Sequence, residues 1–176
     1  MVLRVLVLTS LLVAATSYAA PENVAVYESR QLSATTEGDT TIDADPDAAY
    51  LAATDYSRWP MIFRDLREAK VTQRSGDDAH VSIVHGDGTV DRLHFHNRSA
   101  ARTLWFEQLG GDADVRAEVS FVAGERSGTT HVHSRLYVDV HGFASALVTN
   151  AKLRELRQQQ VRDDLGELQT YFSKRR

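Results

Sequence analysis

The chain has 176 residues, 43% apolar and 25% charged, which is the balance of one globular domain with its own core rather than of a disordered or fibrous chain. It has no cysteine, which excludes disulfides, thiolate metal cages and cysteine nucleophiles. Its 20 basic and 24 acidic residues leave a net charge of -4, so it has no electrostatic footprint for gripping nucleic-acid phosphates and no nucleic-acid partner is expected.

Arg4 precedes an apolar run from Val5 to Ala15, and Ser17-Tyr18-Ala19 follows as a small-x-small cleavage site. The run is shorter than the roughly 20 residues that span a bilayer. Residues 1–19 therefore read as a secretory signal peptide and 20–176 as the folded domain, free in the periplasm or outside the cell. No second long apolar run suggests a transmembrane helix. Arginine outnumbers lysine, as in bacterial proteins of high GC content, so Asn97-Arg98-Ser99 is read as a chance glycosylation sequon.

Val24 to Tyr27 and the Thr-rich stretch from Leu32 to Ile42 predict one or two strands, with a turn at Glu37-Gly38-Asp39. Asp45-Pro46 marks a helix start, with Asp45 as N-cap and Pro46 in the first turn, and the helix should reach about Thr54. Trp59-Pro60 limits continuation, so a second short helix should precede Leu66.

From Ala69 to His141 the period changes to two, and five turn signals separate six strands. In Val132, Ser134, Leu136, Val138 and Val140 one face is mainly apolar, whereas His131, His133, Arg135, Tyr137 and Asp139 form the other. That alternation predicts an antiparallel sheet with one covered face. One hairpin register can be derived: Val81 and Ile83 must share a face with Leu93 and Phe95, which requires a loop of odd length. A three-residue loop, Gly86-Asp87-Gly88, meets the condition and pairs Val81 with Leu93 and His80 with His94.

The residues from Phe143 onward read as a helix with Val161, Leu165, Leu168 and Phe172 in one apolar stripe. Lys152, Arg154, Arg157, Arg162, Asp163 and Asp164 fall on its wet side, and Gly166 permits a bend. A one-faced sheet and a single-striped helix should pack as two layers, an α+β fold with a curved antiparallel sheet of about seven strands wrapped on the long C-terminal helix.

This order of elements resembles the helix-grip fold of the START-like superfamily (SRPBCC). Thr41-Ile42-Asp43-Ala44-Asp45-Pro46-Asp47-Ala48-Ala49-Tyr50 looks like the family's strand end leading into the first helix, I-x-A-x-P-x-x-V/A-[WY]. Asp55-Tyr56-Ser57-Arg58-Trp59-Pro60 is similar to the D-[YF]-x-x-[WY]-P turn of polyketide cyclase/dehydrase-like and coenzyme Q-binding START-type members. The resemblance covers about Leu32 to Phe172. One departure is the absence of a proline before the last helix, where Gly142-Phe143-Ala144 stands.

The resemblance implies an elongated apolar cavity between sheet and helix, with a hydrophobic small molecule or lipid as partner and transient membrane contact for its exchange. Leu93, Phe95, Leu104, Phe106, Phe121, Leu136 and Val138 would line the sheet wall, and Tyr56, Trp59, Met61 and Phe63 would roof one end. Each of these residues also fits simple core packing. Tyr56 and Trp59 stand out, because they combine a large apolar area with a polar tip at a turn.

Two histidine pairs, His94/His96 and His131/His133, invite a metal reading. Parity, however, turns Phe95 and Val132 inward and both pairs outward, and two intervening strands separate the pairs by about 14 Å. No metal or cofactor is expected, although His80, His94 and His96 could take an adventitious ion. For acid–base work the inner face offers only Asp91, His85 and Ser134, too few to assign catalytic residues. No phosphate loop, dinucleotide fingerprint or nucleophile elbow is present. The leading expectation is binding or transport of a lipid or quinone-like compound. A cyclase- or dehydratase-like enzyme using the same cavity and a cavity-free interaction module are the alternatives. The oligomeric state is not legible.

Overall fold

The computed structural model describes residues 23–141, 145, 146 and 148–174. The expected signal peptide, and the expected helix start at Phe143, lie outside the described residues. In chain order come β1 (Ala25–Glu28), β2 (Thr35–Ile42), α1 (Pro46–Thr54), a 3-10 turn (Tyr56–Arg58) and α2 (Trp59–Ile62). Six strands follow: β3 (Leu66–Ser75), β4 (Asp78–His85), β5 (Val90–Arg98), β6 (Thr103–Gln108), β7 (Ala113–Ala123) and β8 (Thr130–Val140). The helix α3 (Asn150–Ser173) comes last. Among the described residues the strands form one antiparallel sheet of eight, one more than expected, in the order β1-β2-β8-β7-β6-β5-β4-β3. The meander is thus continuous, and the first two strands add to its β8 edge.

Two local expectations need correction. Glu37-Gly38-Asp39 is not a turn but the middle of β2, paired with Arg135, Ser134 and His133 of β8. The chain reverses earlier, between Glu28 and Thr35, where Ser29 accepts from the amides of Gln31 and Leu32 and Ala34 takes a positive φ. Gly38 sits mid-strand because α3 approaches it closely: a Cβ there would collide with Val161 and lie 2.9 Å from Leu165 Cδ1. Secondly, α3 begins at Asn150, with the Thr149 hydroxyl capping the Lys152 amide at 3.2 Å.

The helical segment before β3 follows its sequence signals. Asp45 is the N-cap residue of α1 and Pro46 lies in the first turn, although the Asp45 side chain makes no capping bond. Trp59 is helical despite preceding a proline, and its indole is anchored by donating to the Ala53 carbonyl at 3.0 Å. The β4–β5 hairpin has the derived register, Val81 with Leu93 and His80 with His94. Its Gly88 adopts φ +87°, the left-handed conformation the three-residue loop requires.

The core lies between the inner sheet face and α3. Val161, Leu165, Leu168 and Phe172 are all buried there, with Ile42, Val132 and Phe121 of the sheet. The helix rests mainly on β2, with further contact to β8, β1 and α2, so its weight falls on one half of the sheet. Arg157, expected in water, is instead buried: it bonds Glu28 at 2.8 Å and Thr36 at 3.3 Å and thereby ties α3 to β1 and β2.

Candidate functional site

The aromatic residues expected to roof the cavity come together at the end of the sheet beneath α1 and α2. Tyr56 packs on Phe95 with ring centroids 4.6 Å apart, and Trp59 meets Tyr56, Phe95 and Phe63 at 5.3, 5.4 and 5.3 Å. Phe106 extends the cluster from Phe95 at 5.2 Å, whereas Phe121 packs against Tyr50 instead. These edge and tilted contacts fill the corner, so it is a packed wall and not open space. The polar tips singled out in the sequence are used within the protein. Tyr56 donates to Asn97 Oδ1 at 2.8 Å, and burial pushes its hydroxyl up to about 12. Met61 departs from the expected set, since it is 63% exposed on the outer side of α2, its neighbours Trp59 and Ile62 taking the inward positions of the single turn.

The remaining expected residues lie on the inner sheet face. Leu93, Leu104, Phe121, Leu136 and Val138 are buried. The register puts Phe106 beside Ala117, Val119 beside Leu104 and Val115 beside Val138, all on that same face. Yet Phe106, Gln108, Val115 and Val119 are only half-buried. Because α3 leans on β2, β8 and β1, the inner face of β6 and β7 is incompletely covered by the described residues.

A chain of polar side chains stands at the end of the sheet away from the aromatic corner. The His85 ring contacts Asp65 at 2.9 Å through one nitrogen and Asp91 at 2.9 Å through the other, and Gln108 reaches Asp91 at 3.4 Å. Asp91 foremost, with Asp65, raises His85 to about 9 against the opposing effect of burial. The residue is therefore an imidazolium at neutral pH that pins the β4–β5 hairpin to the segment between α2 and β3. Parity had turned His85 and Asp91 inward, and the structure adds Asp65 and Gln108, which lay outside the sequence-derived set. Ser134 is buried on β8 between Gly38 and Val119.

On the helix side the sequence reading placed Asp164 in water, and the structure does not. Asp164 follows Val161 by three residues and precedes Leu168 by four, both buried, so it shares their face of α3 and is half-buried. Gln160 donates to it at 2.8 Å. Burial pushes its carboxyl up to about 7, and the charges of Glu167, Asp163 and Asp65 add to the rise. A polar residue inside an apolar stripe looks like an ordinary wet-side residue when only spacing is available, which is why periodicity missed it. Its raised pKa makes a testable sign: the stabilisation is complete below the unfolded value near 4 and is lost as pH rises through about 7. Asp164→Asn should accordingly be more stable than the parent at pH 8 by about 1–2 kcal/mol, after allowing for solvent screening of a half-buried group. Urea denaturation should show the gap closing toward pH 4, and a gap independent of pH would refute the assignment.

The histidine pairs point outward, as parity requires, since Phe95 and Val132 between them are fully buried. His94 and His96 share Asp78 at 3.0 and 3.1 Å, and His131 and His133 share Asp39 at 3.0 and 2.9 Å. Among the described residues, no group of three or more histidine, aspartate or glutamate side chains is placed to hold a metal ion. None of the described helices is long and apolar enough to cross a membrane.

A curved antiparallel sheet gripping one long helix is the helix-grip architecture. No family model matches the chain, and no curated protein matches it. Solved structures do. The two-domain aromatase/cyclase BexL superposes with a TM-score of 0.67 at 17% identity over 79% of this chain, which spans 46% of BexL, about half its length. A START superfamily protein from Mycobacterium smegmatis gives 0.67 at 12% identity, over 80% of this chain and 97% of that one. The Zhui aromatase/cyclase from Streptomyces sp. R1128 gives 0.64 at 14% identity, over 81% and 95%. The chain shares the helix-grip fold of these structures.

Proposed function

We propose that the protein binds a hydrophobic small molecule, a lipid or quinone-like compound, in the cleft between α3 and the inner face of β6 and β7, and that it does so as an exported, periplasmic or extracellular domain. The observation that carries this reading is the partial exposure of Phe106, Val115 and Val119, three apolar side chains that face the core side of the sheet. Covering them would contribute about 25 cal/mol per Å² of apolar surface removed from water. Gln108 and Asp164 supply the few polar groups that such sites use to orient a ligand. The solved structures of like fold support it too, since two of those named above are aromatase/cyclases, one from the BE-7585A biosynthetic pathway.

A cyclase- or dehydratase-like activity is the second reading, and Asp164 favours it. A carboxyl that titrates near neutrality beside an apolar cleft suits general acid–base work. His85 is less suited, because both of its ring nitrogens are engaged by carboxylates. The cavity-free alternative fits the packed aromatic corner but not the half-buried centre of the sheet.

Native mass spectrometry of the protein purified from its own host should show a bound apolar compound. An apolar fluorophore such as N-phenylnaphthylamine should be displaced by that compound. Val119→Trp, which fills the cleft, should weaken fluorophore binding about tenfold or more, one such step being about 1.4 kcal/mol. Met61→Ser should leave binding unchanged. An empty protein that also fails to bind the fluorophore would sink the proposal.

A further inference from the structure

The opposite, convex face of the sheet carries a groove of about 370 Å³ over β3, β4 and β5, lined by Thr72, His80, Ser82, Arg92 and Leu109 with Val81 and Leu93 at its floor. The register explains the grouping. Lys70 is paired with Ser82, Ser82 with Arg92, and the Leu109 amide donates to the Arg92 carbonyl at 2.7 Å, so these four residues form one row across four strands. His80 lies one level along the same face, opposite His94. The groove opens where β3 is irregular: the pairing shifts between Val71 and Gln73, leaving Thr72 as the extra residue of a bulge.

The groove's cations are unpaired among the described residues. On much of the convex face, by contrast, cations are neutralised at short range. Arg116 pairs with Asp114, Arg135 with Glu37 and Glu118, and His131 and His133 share Asp39. Among the described residues, Arg92 and Lys70 have no carboxylate partner and His80 has only the ring of His94 beside it at 5.1 Å. Of the acids on the flanking strands, Glu107 is engaged with His94 at 3.3 Å, and Glu68 is exposed two residues from Lys70 on β3. Arg92, His80 and Ser82 thus present a guanidinium fork, an imidazole N–H and a hydroxyl from neighbouring strands about 4.8 Å apart. The set is rich in donors and unbalanced in charge, in a protein that is acidic overall.

We propose that this groove is a second binding site, independent of the cleft, for a small organic phosphate whose oxyanion is held by Arg92, His80 and Ser82. Several donors lining one groove from two adjacent strands suit the three terminal oxygens of a phosphate monoester better than the two of a carboxylate. The groove is larger than a bare ion needs, and the exposed Leu109 gives it an apolar side chain for the ester's organic part.

Amide NMR of the full folded protein, titrated with sn-glycerol 3-phosphate and with glycerol as control, tests the site. The phosphate ester should produce saturable shifts centred on His80, Ser82, Arg92 and Leu109. Arg92→Ala and, separately, Ser82→Asp should each weaken binding roughly tenfold or more, the loss of one charge-assisted hydrogen bond, with the remaining spectrum unchanged. Arg116→Ala, on the same face but paired, should have no effect. Sedimentation with vesicles separates two sources of the same chemistry. Binding to phosphatidic acid but not phosphatidylcholine, lost in Arg92→Ala, identifies a lipid headgroup, whereas saturation by the free ester alone identifies a soluble ligand. Shifts scattered over exposed cations such as Arg30 and Arg98, an equal response to glycerol, or unchanged affinity in Arg92→Ala would overturn the assignment.

Discussion

Replacing Gly38 with alanine is expected to lower stability by about 2 kcal/mol, although alanine normally favours a strand over glycine. The added Cβ would collide with Val161, lie 2.9 Å from Leu165 Cδ1 and lie 3.1 Å from the Ala25 carbonyl oxygen. Val161 is 1% exposed, and its branched side chain has one strongly preferred rotamer in a helix, so it cannot swing aside. The strain must go into lifting α3 from β2. A gain of roughly 0.4–1 kcal/mol from the stiffer unfolded chain offsets only part of this cost. In a domain of this size the melting temperature should fall by roughly 5 °C. A double-mutant cycle with Val161→Ala gives the decisive comparison, because the alanine methyl at position 38 would occupy the space that the truncated valine vacates. The pair should be less destabilised than the sum of the single changes by about 1 kcal/mol or more. Simple additivity would show that the close approach of helix and strand is not the reason glycine stands there. Because α3 also forms one wall of the cleft, the same variant should alter ligand affinity.

The contrast between Gly38 and Gly88 shows what the sequence could and could not disclose. Gly88 was legible because its role is local. Parity on two adjacent strands fixed the loop length, and the loop length fixed the left-handed residue. Gly38 was read as a turn because the chemistry around it, Glu-Gly-Asp, is that of turns, while its actual cause is a helix more than 120 residues further along. The same division runs through the site. Alternation alone put Phe95, Phe106, Leu136 and Val138 on one face and the histidine pairs on the other, and the register agrees. It also turned His85 and Asp91 inward, but it could not bring Asp65 to His85, since that contact depends on how the loop after α2 folds back. Asp164 and Arg157 were lost for a related reason. A charged residue within an apolar helical arc is counted as solvent-facing until a partner on another element is known.

The aromatic corner shows how fold and site divide their work. The amphipathic residues of a turn looked like ligand contacts, but Tyr56 and Trp59 spend their polar tips on Asn97 and Ala53. Their ring contacts make one end of the sheet rigid. The incomplete cover lies over β6 and β7, where Phe106, Val115 and Val119 are only half-buried and Gln108 reaches Asp91. Close packing at one end and incomplete cover at the other suit a domain that, with no disulfide to hold it, is proposed to admit a ligand beside its core.

Arg157→Ala should be the most damaging single change, costing about 3 kcal/mol and roughly 10 °C in melting temperature. The guanidinium is buried and bonds Glu28 at 2.8 Å and Thr36 Oγ1 at 3.3 Å, while the Thr36 hydroxyl donates to the other Glu28 oxygen at 2.5 Å. Truncation leaves the Glu28 carboxylate, about a third exposed, with the Thr36 hydroxyl at 2.5 Å, Gln158 at 3.4 Å and Arg154 at 3.9 Å. That residual support keeps the loss at the lower end of the range for a broken buried ion pair. The buried aliphatic stem adds its own packing, which Arg157→Met would largely retain. The combination Arg157→Met with Glu28→Gln should therefore come within about 1 kcal/mol of the parent, because it removes both desolvated charges together. Since the pair is shielded, added salt should change the Arg157→Ala deficit little, unlike that of an exposed pair such as Lys152–Glu155. Guanidinium-free urea titrations of the four proteins measure all of this. A deficit below 1 kcal/mol for Arg157→Ala would mean that β1 merely lies against the helix. A full deficit rescued by the double change would mean that the ion pair sets how α3 leans across the sheet, and with it the width of the cleft.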